Sequence, residues 1–265
     1  MSLTPIDTAL EQLMPLLPLI TGQESVLLEQ AAGRVLAGDC VSPIDVPPYR
    51  NSAMDGYALK STDLGSENIQ LKITQRIAAG EVGQQLKSGE AARIFTGAPV
   101  PEGADAVVMQ ENCKANGDVL CVLQQHIKPG ENLRQAGDDI QAGALMMAKG
   151  HRLKPQDIGL LASIGLESVN VTRRLRVSLL TTGDELVQPG TKLEAGQIYN
   201  SNYFTLQALL KGLQVEVLDC GIVADDFEGT RLALLAAAQR SDCVITTGGV
   251  SVGEEDHVKA VVEQE

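Results

Sequence analysis

Residues 173–186 read RRLRVSLLTTGDEL and residues 240–253 read RSDCVITTGGVSVG. Each holds a short apolar run that ends in Thr-Thr-Gly, the texture of a strand buried on both faces. The runs predict strands at Leu175–Leu180 and Cys243–Thr246. Between them a helix is predicted at Asn202–Leu213, with Leu206, Leu209, Leu210 and Leu213 on one stripe. A strand at Val215–Leu218 follows, then a helix at Phe227–Gln239, and a further helix follows the last strand. Strand–helix alternation of this kind builds a parallel α/β sheet with right-handed crossovers. Ligands of such sheets bind beyond the carboxyl ends of the strands. Here the strands end in Gly183-Asp184-Glu185, in Asp225-Asp226 and in Gly248-Gly249 through Glu254-Glu255-Asp256. Glycine lets a backbone approach a ligand closely, helix N-termini offer N–H groups to anions, and clustered carboxylates suit a hard divalent cation. Three such loops on one rim point to a phosphorylated ligand held through Mg²⁺, although acids at a helix start also simply cap it.

Upstream of Arg173 the texture changes. Val46 to Gly143 carries short β-like runs (Leu71–Thr74, Arg93–Phe95, Ala106–Met109, Val119–Leu123) between Gly and Pro, a β-rich unit. Asn116-Gly117 reads as a two-residue hairpin loop that sets Cys113 opposite Leu120. Cys121 then points to the other face, and no disulfide forms. The N-terminus reads as a helix capped by Thr4, with Pro5 at the first helical position, Ile6, Ala9, Leu10, Leu13 and Met14 at helical spacing, and Pro15 as its stop. Another helix starts at Lys154-Pro155.

The chain has 265 residues, which allows two or three domains. With 21 Lys plus Arg against 34 Asp plus Glu, the formal net charge is −13. Such a surface repels duplex nucleic acid, and 3 % aromatics with no Trp leave no stacking platform for single strands. No apolar run is long enough to span a membrane, and no basic n-region reads as a signal peptide. Five cysteines without a C-x-x-C pair fit a reduced cytoplasmic chain. His126, His151 and His257 share no ligand spacing and read as lone exposed histidines. The arginines at 173, 174 and 176 read as a solvated edge or domain junction at the far end of the sheet.

Four motifs occur together and in order: Asn51-Ser52-Ala53-Met54-Asp55-Gly56-Tyr57-Ala58, Thr96-Gly97-Ala98-Pro99-Val100-Pro101, Thr181-Thr182-Gly183-Asp184-Glu185-Leu186 and Gly248-Gly249-Val250-Ser251-Val252-Gly253. With them the chain resembles the MoeA family, the molybdopterin molybdenumtransferases, over essentially its whole length. The resemblance implies a multidomain α/β homodimer. Residues 1–50 and 141–172 would form an extended helical domain, 51–140 an inserted β-rich domain, and 173–265 a three-layer, molybdopterin-binding α/β domain. It implies insertion of molybdate into adenylyl-molybdopterin with Mg²⁺ and release of AMP. Asp55, Thr96, Arg134 and Asp139 would serve the cleft from one subunit, and Glu185, Asp225 and Asp256 from the other, the latter three as metal ligands. Gly183, Asp184, Gly248, Gly249, Ser251 and Gly253 would contact the molybdopterin nucleotide. The family's Pro-Gly-Lys-Pro and Gly-Leu-Pro-Gly-Asn-Pro loops do not occur before Glu265, so a shortened α/β domain is expected, and a chain that alone is inactive or impaired. Two other readings stay open. One is a non-catalytic scaffold or molybdopterin-binding fragment; the other is a molybdopterin adenylyltransferase, which is also a conceivable partner.

Overall fold

A computed structural model describes residues 4–20, 22–65, 69–124, 126–248 and 257–264. The chain runs through α1 (Ile6–Leu13), β1 (Gln23–Leu27), α2 (Leu28–Ala31), β2 (Cys40–Val41), β3 (Asn51–Ser52), β4 (Gly56–Leu59), β5 (Gln70–Ile77) and β6 (Glu90–Ile94). It continues through β7 (Ala106–Met109), β8 (Cys113–Asn116), β9 (Val119–Val122), β10 (Leu133–Arg134), β11 (Leu145–Met147), α3 (Pro155–Ser163), β12 (Ser168–Thr172) and β13 (Arg176–Thr182). The last elements are β14 (Leu186–Val187), β15 (Ile198–Tyr199), α4 (Ser201–Gly212), β16 (Glu216–Val223), α5 (Phe227–Arg240), β17 (Cys243–Thr247) and α6 (His257–Gln264). Two compact units result: Met1–Ser25, Gly33–Val35 and Asn170–Glu265 in one, Val26–Ala32 and Leu36–Val169 in the other. Among the described residues no helix is long and apolar enough to cross a membrane.

The first unit holds the parallel sheet, in the order β16-β13-β17. Central β13 is buried at every position after Arg176, because helices cover a parallel sheet on both faces. Its connections run in opposite directions: α4 leads from β13 to one neighbour, and α5 leads across β13 to the other. Right-handed crossovers of opposite sense set α4 and α5 on opposite faces. The stripe expected on α4 is corrected here. Tyr203 and Leu210 turn inward, whereas Leu209 and Leu213 are each 63 % exposed. The basic run has a partner at the amino end of the sheet. Asp242 accepts from Arg173 Nη1 and Nη2 at 2.6 and 2.5 Å and from the Arg176 N–H at 2.8 Å.

The second unit is built on a six-stranded sheet, β7-β4-β6-β5-β9-β8, in which β5–β6 is the parallel pair. Alternation along the strands feeds two apolar clusters. Leu59, Ala91, Val108 and Leu120 lie in one, and Ala58, Ala92, Ile94 and Val107 in the other. The hairpin differs from expectation by two residues of register: Cys113 pairs with Val122 and Asn116 with Val119, so Gly117-Asp118 is the loop. A slip of two preserves side-chain parity, so Cys113 and Cys121 still face opposite ways and both are free. At the N-terminus Pro5, not Thr4, occupies the cap position. Nor is His151 lone, since its Nε2 lies 2.7 Å from Asp157 Oδ2 at the start of α3.

Hydrogen bonds from Arg173, then from the Arg176 N–H, hold the Asp242 carboxyl at about 2. A depressed carboxyl stabilises the fold above its unfolded value and ceases to do so as pH falls through its folded value. Asp242→Asn should therefore cost about 1 kcal/mol at neutral pH, given partial solvent screening. In chemical denaturation at graded pH, the difference from the parent should be full above about pH 4 and close towards pH 2.

Candidate functional site at the strand-order reversal

The order β16-β13-β17 reverses direction at β13, so the crevice beyond the carboxyl ends of β13 and β17 is the switch point where open α/β sheets bind ligands. A pocket of about 140 Å³ lies there, walled by Thr182, Glu185, Tyr199, Asn200, Asn202 and Gly248 among others. Gly248 has φ +93°, and a Cβ on it would stand 2.7 Å from the Thr182 carbonyl oxygen and 2.8 Å from Thr182 Oγ1. Only glycine lets the two strand ends meet this closely. Gly183 differs: a Cβ there would stand 2.5 Å from Glu185 Oε2, the end of a flexible side chain that can move aside, and what favours glycine is its φ of +145°.

The amino end of α4 forms another wall. Asn200 caps the helix by accepting from the Tyr203 N–H at 3.3 Å, and its Nδ2 donates to Thr181 Oγ1 at 2.9 Å. The Asn202 amide donates to Thr247 Oγ1 at 3.1 Å and ties the helix start to β17. The N–H groups of the first helical turn beyond the cap remain as donors. Thr182 is 6 % exposed, and its Oγ1 has no hydrogen-bond partner among the described residues. A buried hydroxyl without a partner, beside open N–H groups, suits a polar ligand atom. Sequence reasoning missed Thr182, Asn200 and Asn202. The signal was the Asn200-Ser201 cap pattern, obscured by starting the helix at Asn202.

The rim carboxylates divide by use. Asp226 caps α5, accepting from the Gly229 N–H at 2.7 Å, and Asp184 accepts from the Asp225 N–H at 3.2 Å. The Glu185 and Asp225 carboxylates accept no hydrogen bond from any described residue. Gly249, Ser251, Gly253 and Asp256 lie outside the described residues. Among the described residues no three His, Cys, Asp or Glu side chains group as metal ligands. Of the rim carboxylates Glu185 walls the pocket together with Thr182, whereas Asp225 is not among the residues that line it.

The second unit brings its own candidate residues together. Its β3 pairs with β10, so Arg134 stands opposite Asn51, and on its other side the Ser52 N–H donates to Ala98 O at 3.0 Å. The Asn51, Thr96 and Arg134 segments thus converge through backbone pairing. Asp55 Oδ1 accepts from both the N–H and Oγ1 of Thr96 at 2.9 Å. The Thr96 backbone bond, then its hydroxyl, then the Arg93 charge hold the Asp55 carboxyl below its usual range. Arg134 pairs with Asp139, and both are solvent-facing. Asn51 is 7 % exposed and its Oδ1 lacks a partner among the described residues.

The MoeA N-terminal region (domain I and II) matches residues 4–165, and a probable molybdopterin binding domain matches residues 178–265. The molybdopterin molybdenumtransferase of Haemophilus influenzae is 43 % identical over 260 residues, covering 98 % of this chain and 64 % of that protein. Molybdopterin molybdenumtransferase 2 of Mycobacterium tuberculosis is 38 % identical over 240 residues, covering 89 % and 59 %. The chain thus spans about three-fifths of the length of these relatives. Two crystal structures of the molybdopterin biosynthesis MoeA protein of Pyrococcus horikoshii superpose with TM-scores of 0.85 and 0.83. They are 34 % and 33 % identical, and cover 99 % and 93 % of this chain and 67 % of each of theirs.

The close approach at Gly248 gives a direct check. Gly248→Ala should lower stability by about 1–3 kcal/mol, from a positive φ and a clash with backbone that cannot yield. Thermal melting of the variant should show the loss; an unchanged melting temperature would mean the strand ends do not meet this way.

Proposed function

Because the chain belongs to the MoeA family, we propose that it serves molybdenum cofactor biosynthesis by inserting molybdate into adenylyl-molybdopterin, with Mg²⁺ and release of AMP. The observation that supports this most is the pocket at the strand-order reversal, where Thr182 offers an unpartnered hydroxyl beside the amino end of α4 and the open Glu185 carboxylate. A cavity of about 140 Å³ has room for a phosphate-sized group, not for a whole nucleotide. The nucleotide's anionic end would therefore enter, with the remainder outside.

In this reading the α4 N–H groups and Thr182 Oγ1 bind phosphoryl oxygen. Glu185 and Asp225, joined by Asp256, hold the metal. When bound, Mg²⁺ polarises phosphoryl oxygen and offsets the charge of two anionic reactants. Asp184 and Asp226 act indirectly, by fixing the loops that carry the open carboxylates. Asp55 stays ionised well into the acid range because Thr96 donates to it twice. Asp55, Thr96, Arg134 and Asp139 would face the reactants from a partner subunit. Support for a homodimer comes from α1, which buries none of its residues and leaves Ile6 74 %, Leu10 50 % and Leu13 50 % exposed. A contiguous apolar face of this kind is typical of an interface between copies. Five free cysteines accord with a cytoplasmic setting.

Titration calorimetry tests the metal assignment. Mg²⁺ should bind weakly alone and more tightly with AMP present, and Glu185→Ala should lose most of the heat. Identical isotherms for the two proteins would overturn the assignment. Assembly is a separate measurement: light scattering should give twice the mass of one chain at micromolar concentration, and Leu10→Asp should shift it towards one.

A further inference from the structure

A β-bulge in the second unit sets two arginines side by side. Register between β5 and β6 runs Lys72 to Glu90 and Ile73 to Ala91, then resumes as Gln75 to Ala92, Arg76 to Arg93 and Ile77 to Ile94. Without the extra residue, Gln75 would stand opposite Arg93 and Arg76 would align with Ile94, a member of an apolar cluster. The bulge therefore turns Ile77 into that cluster and Arg76 onto the face of Arg93. Tyr57 pairs with Arg93 on the far side, so one row across three strands reads Tyr57, Arg93, Arg76.

Phe95 serves both arginines: each guanidinium carbon lies 4.5 Å from its ring centre. Arg93 is fixed further, with Nη1 donating to Gly56 O at 2.8 Å and Nη2 to Gln110 Oε1 at 2.6 Å. Arg76 is exposed and makes no hydrogen bond or ion pair with any described residue. Like charges directly opposite each other in a sheet repel. In a chain of formal net charge −13, a carboxylate would be the ordinary remedy, yet none pairs with either arginine among the described residues. The nearby Asp55 carboxylate is engaged by Thr96 instead.

We propose that Arg76 and Arg93, stacked on Phe95, form a binding site for a tetrahedral oxyanion bridged between the two guanidinium groups. Planar guanidinium forks match oxyanion geometry, and Arg93 is already oriented, so little ordering remains for binding. The ligand is either a free oxyanion or the phosphate group of a larger molecule. The site stands on the second unit alone and holds whether or not the chain transfers molybdenum.

The chain is titrated calorimetrically with inorganic phosphate, molybdate and AMP, without divalent cation and at low ionic strength. A saturable site is expected whose affinity falls about tenfold in Arg76→Ala, recovers partly in Arg76→Lys, and is unchanged in Arg174→Ala. Arg174 is an exposed arginine of the first unit, so that variant removes the same net charge elsewhere. Equal binding of phosphate and AMP assigns the site to a phosphate group whatever its carrier, and tighter molybdate binding assigns it to a free oxyanion. No saturable binding, or an equal loss in Arg76→Ala and Arg174→Ala, overturns the proposal.

Discussion

The carboxyl ends of β13 and β17 lie against each other because Gly248 has no side chain. A Cβ there would fall 2.7 Å from the Thr182 carbonyl oxygen, well inside contact distance. From that approach follows the rest of the first unit's chemistry. It narrows the crevice that the reversal of strand order opens, and Thr182 is buried there with a hydroxyl that has no hydrogen-bond partner among the described residues. It also fixes where the amino end of α4 must stand, since Asn202 reaches Thr247 across the gap. The width of the crevice is thus set by a backbone contact and not by the rim side chains.

The place of this crevice was legible from residues alone, although the close approach within it was not. Strand–helix alternation implies a parallel sheet, and a parallel sheet places a site at the carboxyl ends of its strands. Harder to read was how each rim acid is used. Asp184, Glu185, Asp225 and Asp226 are indistinguishable by composition. Only tertiary placement commits Asp226 to a cap and Asp184 to the Asp225 N–H. The α4 stripe failed for a related reason. Four leucines at helical spacing define an arc, but the neighbouring strands decide which part of it is covered, and Tyr203 displaced Leu209 and Leu213. The hairpin slipped by two residues because Asn-Gly and Gly-Asp both satisfy a two-residue loop, and parity of two leaves the buried faces the same either way. The bulge in β5 had no signal at all, since it reflects the register of β6, not the composition of β5.

The two proposed sites would treat negative ligands by different physics. In the first, an oxyanion entering the pocket meets the positive end of α4 together with the Glu185 carboxylate, which repels it. Helix N-termini supply roughly half a unit of positive charge, less than one carboxylate removes. Anion binding there is favourable only if a cation stands between the acid and the ligand, so metal and nucleotide should bind with positive coupling. In the second unit the positive charge is resident. Arg93 is fixed by Gly56 O, Gln110 and two aromatic rings, and the bulge sets Arg76 opposite it on the next strand. Anion affinity there should depend on ionic strength and not on divalent cation, because arginine stays charged at every accessible pH. On these two proposals a chain of formal net charge −13 would hold anions by two independent routes, one conditional on metal and the other built into a sheet.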